Sequence, residues 1–157
     1  MTATGATVTA VEGAPFSGVL ASFTDADPNA TTANFSATIQ WGDGTSSAAT
    51  VSANGTGGFN VSGQHTYTMA RSYNVSVSVA DVGGATATAA STATVADAAL
   101  TATGATVTAV EGAPFSGVLA SFTDADPNAT AANFSATIQW GDGTSSTATV
   151  SANGSGI

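Results

Sequence analysis

The sequence predicts an all-β protein built from two-sheet sandwiches in tandem, on three observations. Large apolar residues recur with a period of two, turn-forming residues break the chain repeatedly, and the stretch beginning at Thr2 starts again at Thr101. Composition sets the scale of the core. Alanine (34), threonine (27), serine (18) and glycine (18) make up 97 of the 157 residues. Only 33 residues are apolar and larger than alanine, so each core must be thin. Val, Ile, Leu and Phe number 27, below the roughly 20% under which chains tend to be disordered. Disorder also calls for high charge per residue, and here ten acids and one arginine are spread along the whole chain. A folded, β-rich protein follows.

The first copy reads as alternating strands. Phe35, Ala37, Ile39 and Trp41 alternate with Ser36, Thr38 and Gln40, which puts one face in a core and the other in water. Val75, Val77 and Val79 alternate with Ser76, Ser78 and Ala80 in the same way. Ala85 to Val95 alternates Ala and Thr, and its small inward residues predict an edge strand near the rim. Turns are expected at Glu12-Gly13-Ala14-Pro15, Asp25-Ala26-Asp27-Pro28-Asn29, Gly42-Asp43-Gly44, Asn54-Gly55, Gly57-Gly58 and Gly83-Gly84. No window carries helical apolar spacing free of glycine or β-branched residues. About seven short strands in about 100 residues predict an immunoglobulin-like β-sandwich.

The repeat fixes the domain organisation. Thr2–Thr56 reappears as Thr101–Ser155 with three changes: Thr32 to Ala131, Ala48 to Thr147 and Thr56 to Ser155. Residues 2–100 are read as one complete sandwich, and residues 101–157 as the front half of a second, near-identical one. A unit of this length suits an independent small domain rather than a solenoid repeat.

Three motifs occur in order: Trp41-Gly42-Asp43-Gly44-Thr45, His65-Thr66-Tyr67, and Ser72-Tyr73-Asn74-Val75-Ser76-Val77-Ser78-Val79-Ala80-Asp81 followed by Gly83-Gly84. Together they resemble the PKD (polycystic-kidney-disease) domain over about Phe35 to Val95, and again over Phe134 to Thr144, including Trp140 and Asp142. The family usually places a glycine just before the tyrosine equivalent to Tyr73, where this chain has Arg71-Ser72. The resemblance implies a PKD-like sandwich and, because members with near-identical tandem copies occur in large bacterial surface and secreted proteins, it implies such a protein here too. It also implies an alternative role, since PKD-like domains often serve as ligand-binding accessory modules of secreted polysaccharide- or protein-degrading enzymes.

Composition removes several function classes. With no lysine and Arg71 as the lone strong cation, no basic surface for nucleic acid or an anionic membrane can form. The absence of cysteine and the single His65 leave no thiolate nucleophile and no Cys/His zinc site within one chain. No serine lies in a G-x-S-x-G context, and no G-x-x-x-x-G-K-[ST] phosphate loop is present. No apolar run approaches the about 18 residues of a membrane span. The residues after Met1 lack the basic and apolar regions of a signal peptide. The chain is therefore not expected to be an enzyme.

Each remaining candidate has a structural alternative. Trp41 and Trp140 share strand faces with Ile39 and Ile138, which predicts core residues rather than a sugar-binding platform. Asp43 is expected to bond local amides in the Gly42–Gly44 turn, and His65 to bond a loop carbonyl. Arg71 offers a surface partner to a neighbouring carboxylate. Asp25, Asp27 and Asn29 place oxygens at alternate positions, a spacing that suits calcium, with Glu12, Asp43 and Asp97 as further candidates. The second copy supplies Glu111, Asp124, Asp126, Asn128 and Asp142. The alternative for the Asp25–Asn29 stretch is a type I turn with Pro28 in second place, capped by Asp27. All eight asparagines (Asn29, Asn34, Asn54, Asn60, Asn74, Asn128, Asn133 and Asn153) are followed two residues on by Ser or Thr, with no proline between. This is the acceptor pattern for N-glycans, most open at Asn29, Asn54 and Asn128; Ser/Thr-rich strands also generate it without modification.

These readings converge on a non-catalytic structural module of an extracellular stalk, adhesin or fibre. Its expected partners are neighbouring repeats or identical chains, with glycans and calcium as candidate additions, and neither nucleic acid nor membrane insertion. The alternative, an accessory binding module, requires an exposed aromatic cluster drawn from Phe16, Phe23, Phe59, Phe115 and Phe122. The short connector Val95–Thr101 is expected to hold the repeats end to end, with Leu100 partly buried at the junction. The back half of the first copy (Gly57–Leu100) has no counterpart, so Phe134, Ile138 and Trp140 should lack core partners. Either the chain is a window on a longer array, or its front halves pack on neighbouring molecules. Trp140 should then be less protected than Trp41.

Overall fold

The computed structural model describes residues 1–153, which fall into two compact units, one of Met1–Asp97 and one that begins at Ala98. Nine strands build the first: β1 (Thr2–Gly5), β2 (Thr7–Val11), β3 (Pro15–Thr24), β4 (Phe35–Gln40), β5 (Ser46–Ala48), β6 (Thr50–Ala53), β7 (Phe59–Thr66), β8 (Ser72–Asp81) and β9 (Thr86–Ala96). They form two sheets, ordered β1-β3-β7-β6 and β2-β9-β8-β4-β5. Every pairing is antiparallel except β2 with β9, which is parallel. The protein is an all-β immunoglobulin-like sandwich.

The count exceeds the seven strands expected because two stretches cross from one sheet to the other. The first residues pair with β3 up to Gly5 and with β9 from Thr7 on. A Cβ on Gly5 would sit 1.8 Å from the Ala90 carbonyl oxygen, so the crossing backbone needs glycine there. The second crossing lies between β5 and β6, at Ala49, whose amide bonds the Ala37 carbonyl.

The alternation read from the sequence sets the core. Tyr73, Val75, Val77 and Val79 of β8 are buried, as are Ala37, Ile39 and Trp41 on and just after β4. They meet Leu20, Phe23, Phe59, Val61 and Tyr67 from the facing sheet. Burying each large apolar side chain contributes about 1.5–3 kcal/mol. Gly63 makes room for this packing: a Cβ there would stand 2.4 Å from the Ile39 Cδ1 and 3.1 Å from the Trp41 ring. Contrary to expectation, β9 is an inner strand, flanked by β2 and β8. Its buried Ala89 and Ala93 are small because β1 runs close against it, as the Gly5–Ala90 approach requires, not because it lies at a rim.

The second unit retains two separate hairpin-like pairs. β10 (Leu100–Gly104) pairs with β11 (Ala120–Asp124), and β12 (Ala136–Gln139) with β13 (Ser145–Ala148). These match the β1–β3 and β4–β5 pairs, whose members both belong to the front half. Thr106–Val110, Pro114–Val118 and Thr149–Ala152 form no strand, although identical sequences are β2, the start of β3 and β6 in the first unit. Those first-unit segments pair only with β7 or β9. Leu100, expected to be partly buried, is 56% exposed. It is the counterpart of Met1, which packs on a complete core in the first unit.

Candidate functional site

The motif residues converge at the turn that follows β4. Gly42 and Gly44 adopt φ of 84° and 95°, open to glycine at little cost, and close the chain tightly enough for the Trp41 amide to bond the Thr45 carbonyl. A Cβ on Gly42 would also stand 2.5 Å from the Asn74 carbonyl oxygen on β8. Inside this turn Asp43 Oδ1 accepts from the Thr45 amide (2.9 Å) and hydroxyl (2.6 Å), as expected. Its other oxygen, Oδ2, accepts from His65 Nε2 at 2.7 Å. The partner of His65 is thus a carboxylate, not the loop carbonyl expected. Partial burial works to raise the Asp43 carboxyl, but the Thr45 hydroxyl and amide together with His65 outweigh it and hold it down at about 2.

A ring stack continues from this pair. Trp41 stacks on His65 at 4.7 Å, His65 meets Tyr67 edge-on at 4.6 Å, and Tyr67 stacks on Tyr73 at 4.3 Å. The Arg71 guanidinium lies 4.5 Å over the Tyr73 ring, so the lone strong cation is used inside its own unit. The indole and both phenols are satisfied: the Trp41 indole donates to Ser47 Oγ, the Tyr67 hydroxyl to the Trp41 carbonyl, and the Tyr73 hydroxyl to the Met69 carbonyl. Burial, then the Asp43 and Tyr73 charges, push the Tyr67 phenol up to about 12. The turn before Tyr73 needs no glycine, since no described non-glycine residue has positive φ. Asp81 shapes the β8–β9 hairpin, accepting from the Gly83 amide.

The chemistry of this cluster is that of a staple. A histidine–carboxylate pair activates a hydroxyl only if the hydroxyl donates to the histidine. The Thr45 hydroxyl donates instead to the carboxylate. The result is a tie between the β4 turn and β7, over a separation of 22 residues.

The sequence did not reveal three further ties. Ser47 serves the Trp41 indole, Glu12 Oε2 accepts the Ala70 amide across 58 residues, and the Ser91 hydroxyl donates to the Leu20 carbonyl across 71. The last two join positions far apart in the sequence and leave no local pattern.

The remaining acids and asparagines mostly build turns. Asp25 accepts the Asp27 amide, Asp27 accepts the Asn29 amide, and the Ala30 amide closes the type I turn onto the Asp27 carbonyl. Asp124, Asp126 and Asn128 repeat the two carboxylate bonds. Among the described residues no three His, Asp or Glu side chains gather where a metal ion could be held. Asn34 and Asn133 accept from the amide and hydroxyl of Thr31 and Thr130. Asn54, expected to be open, is half-buried and accepts from Thr56 and Gly58. Asn29, Asn74, Asn128, Asn133 and Asn153 are exposed, whereas Asn34 and Asn60 are half-buried. The aromatic cluster required for an accessory binding module is absent from the first unit's surface: Phe23 and Phe59 are buried against each other and Phe35, and Phe16 packs edge-on to Trp41.

A solved PKD domain is similar to this chain. It is the PKD domain of an M14-like peptidase from Thermoplasmatales archaeon SCGC AB-540-F20, 22% identical, covering 60% of this chain and 90% of that one with a TM-score of 0.40. No protein-family model matches the chain, and no curated protein does.

The second copy repeats the turn without the stack. Thr144 bonds Asp142 through its amide and hydroxyl, and these bonds hold the Asp142 carboxyl below its usual range. The Trp140 indole donates to Ser146. Trp140 itself is 42% exposed, against 1% for Trp41.

Proposed function

We propose that the chain is a non-catalytic structural segment of an extracellular stalk, adhesin or fibre assembled from tandem PKD-like sandwiches. The observation that carries this reading is the use made of the chemically capable side chains. Asp43, His65, Tyr67, Tyr73 and Arg71 are all engaged in tying the first sandwich together, and the Thr45 hydroxyl is turned to the carboxylate rather than to the histidine. Supporting it are the near-identical copies, which suit serial extension, and a polar surface of Ser and Thr with few charges. A net charge of −9 favours solubility. Among the described residues no helix is long and apolar enough to cross a membrane. In this reading neighbouring repeats are the principal partners, and the exposed Asn29, Asn74, Asn128, Asn133 and Asn153 are the places for glycans. The test is protease shaving of intact source cells followed by peptide mapping. Release of peptides from this chain while cytoplasmic markers stay intact is the expected result; retention of the chain until the cells are lysed overturns the proposal.

A further inference from the structure

The hairpin between β6 and β7 turns through Asn54, Gly55, Thr56, Gly57 and Gly58, and the Asn54 amide closes it onto the Gly58 carbonyl at 2.9 Å. The Asn54 side chain folds back into this turn. Its Oδ1 accepts from the Thr56 amide at 2.9 Å, the Thr56 hydroxyl at 2.9 Å and the Gly58 amide at 3.0 Å. Three donors exceed what an amide oxygen can use. A neutral amide carbonyl offers two lone pairs, whereas the oxyanion formed when a nucleophile adds to it offers three. The donors stand within the about 2.7–3.1 Å at which preorganised oxyanion sites work. Asn34 and Asn133 differ on both counts, with two donors from one threonine and a bulky phenylalanine as the next residue.

A nucleophile stands beside this carbonyl. The bond from the Thr56 amide to Oδ1 closes a ring that holds the side-chain carbon, Cγ, against the peptide joining Asn54 to Gly55. Gly55 is exposed, and a Cβ on it would meet nothing within 4 Å, so no side chain or neighbour obstructs rotation of that peptide. A Cβ on Gly58 would stand 2.9 Å from Asn54 Nδ2, so glycine there keeps the leaving nitrogen uncrowded.

We propose that Asn54 is a self-modifying residue: the Gly55 backbone nitrogen adds to Asn54 Cγ and expels the side-chain nitrogen as ammonia, while the Thr56 and Gly58 donors hold the oxyanion. Water is the one co-reactant, and nothing is oxidised or reduced. The Gly55 N–H gives its proton to hydroxide or a buffer base, the N–Cγ bond forms, and negative charge collects on Oδ1. The Cγ–Nδ2 bond then breaks as Nδ2 takes a proton from solvent, leaving a five-membered succinimide. Water opens that ring at either carbonyl. The products are an aspartate at position 54 or an isoaspartate link, in which the main chain runs through Cβ and Cγ. The second product bears on the fold. Ala53 pairs with Phe59, whose ring packs on Phe23 and Phe35, and the isoaspartate lengthens the connection between the paired residues by one backbone atom.

Only the turn geometry carries this chemistry, so its failure leaves the extracellular role standing. The full chain is incubated at mildly alkaline pH, folded in buffer and unfolded in guanidinium chloride. Mass spectrometry follows the peptide containing Asn54, apart from the one containing Asn153, the other asparagine that precedes a glycine. Enzymatic methylation of isoaspartate gives a second readout. Asn54 should convert about threefold faster or more in the folded chain, because only the fold assembles the three donors. Thr56→Val removes the hydroxyl donor and should slow the folded chain about threefold or more while leaving the unfolded rate unchanged. Thr56→Ser keeps a hydroxyl in place and should keep the parent's rate. Conversion in the folded parent that is no faster than in the unfolded chain overturns the proposal, and this comparison needs no variant. A Thr56→Val chain that melts like the parent and converts at its rate overturns it too, as does a Thr56→Ser chain that converts as slowly as Thr56→Val.

Discussion

Thr7–Val11 and Thr106–Val110 have the same five residues, yet the first is a strand and the second is not. The same holds for Pro15–Val19 against Pro114–Val118, and for Thr50–Ala53 against Thr149–Ala152. Intrinsic propensity is identical within each pair, so it cannot be what decides. The segments that keep their structure in both units are those whose partner strands lie within the front half. Those that lose it pair with β7 or β9, which only the first unit possesses. Strand formation here is a property of the partner more than of the segment, in line with the weak and context-dependent character of β propensity.

The tryptophans offer the largest way to break this comparison. Trp41→Ala removes a fully buried ring and should cost the first unit about 3–5 kcal/mol. Trp140→Ala, at a site 42% exposed, should leave the melting transition of the first unit where it was. Denaturant melts of the two variants measure the difference, and comparable losses would mean that the second core is as complete as the first.

Next in size is Gly63→Ala. The added Cβ would stand 2.4 Å from the Ile39 side chain, and overpacking of this kind costs about 1–3 kcal/mol. The same melts report it, and a neutral result would show that the Ile39–Trp41 contact is looser than described.

The Asp43–His65 tie sharpens the comparison through pH. The Asp43 carboxyl sits at about 2 in the folded unit against an ordinary 3.8. Its contribution is therefore fully present above pH 3.8 and is lost as pH falls from there through 2. Asp43→Asn should lower stability by about 1–2 kcal/mol at pH 7 and flatten the acid limb between those values. A variant whose acid limb keeps the slope of the parent would mean that Asp43 is not its source.

The smallest expected effect separates Ser47 from Ser146. Ser47→Ala leaves a buried indole N–H without its acceptor and should cost about 1 kcal/mol. Ser146→Ala should cost nothing measurable in thermal melts, since water reaches the exposed Trp140. Equal effects would argue against the different burial of the two rings.

Much of this was legible in the sequence for a physical reason. Half-buried strands such as Phe35–Trp41 and Tyr73–Val79 write their burial as period two, and the Gly42–Gly44 turn announces itself through residues that tolerate positive φ. The interior place of β9 was not legible, because small residues fit both a rim and a close approach by another strand. The crossings at Gly5 and Ala49 were hidden too, since a strand that changes sheets carries no Pro or Asn signal at the change. At the site, the participants Trp41, Asp43, His65, Tyr67 and Tyr73 could be named. The pairing of His65 with Asp43 could not, because it joins positions 22 residues apart that only the folded sheets bring together.

The central claim is that the same front-half sequence builds a closed core only where the partner strands β7, β8 and β9 are beside it. Hydrogen exchange at the two tryptophan indoles, measured by NMR on the same unmodified monomeric chain, tests it most directly. The account predicts slow exchange at Trp41 and exchange near the solvent-limited rate at Trp140. Equal protection of both, in the absence of any partner, would contradict it.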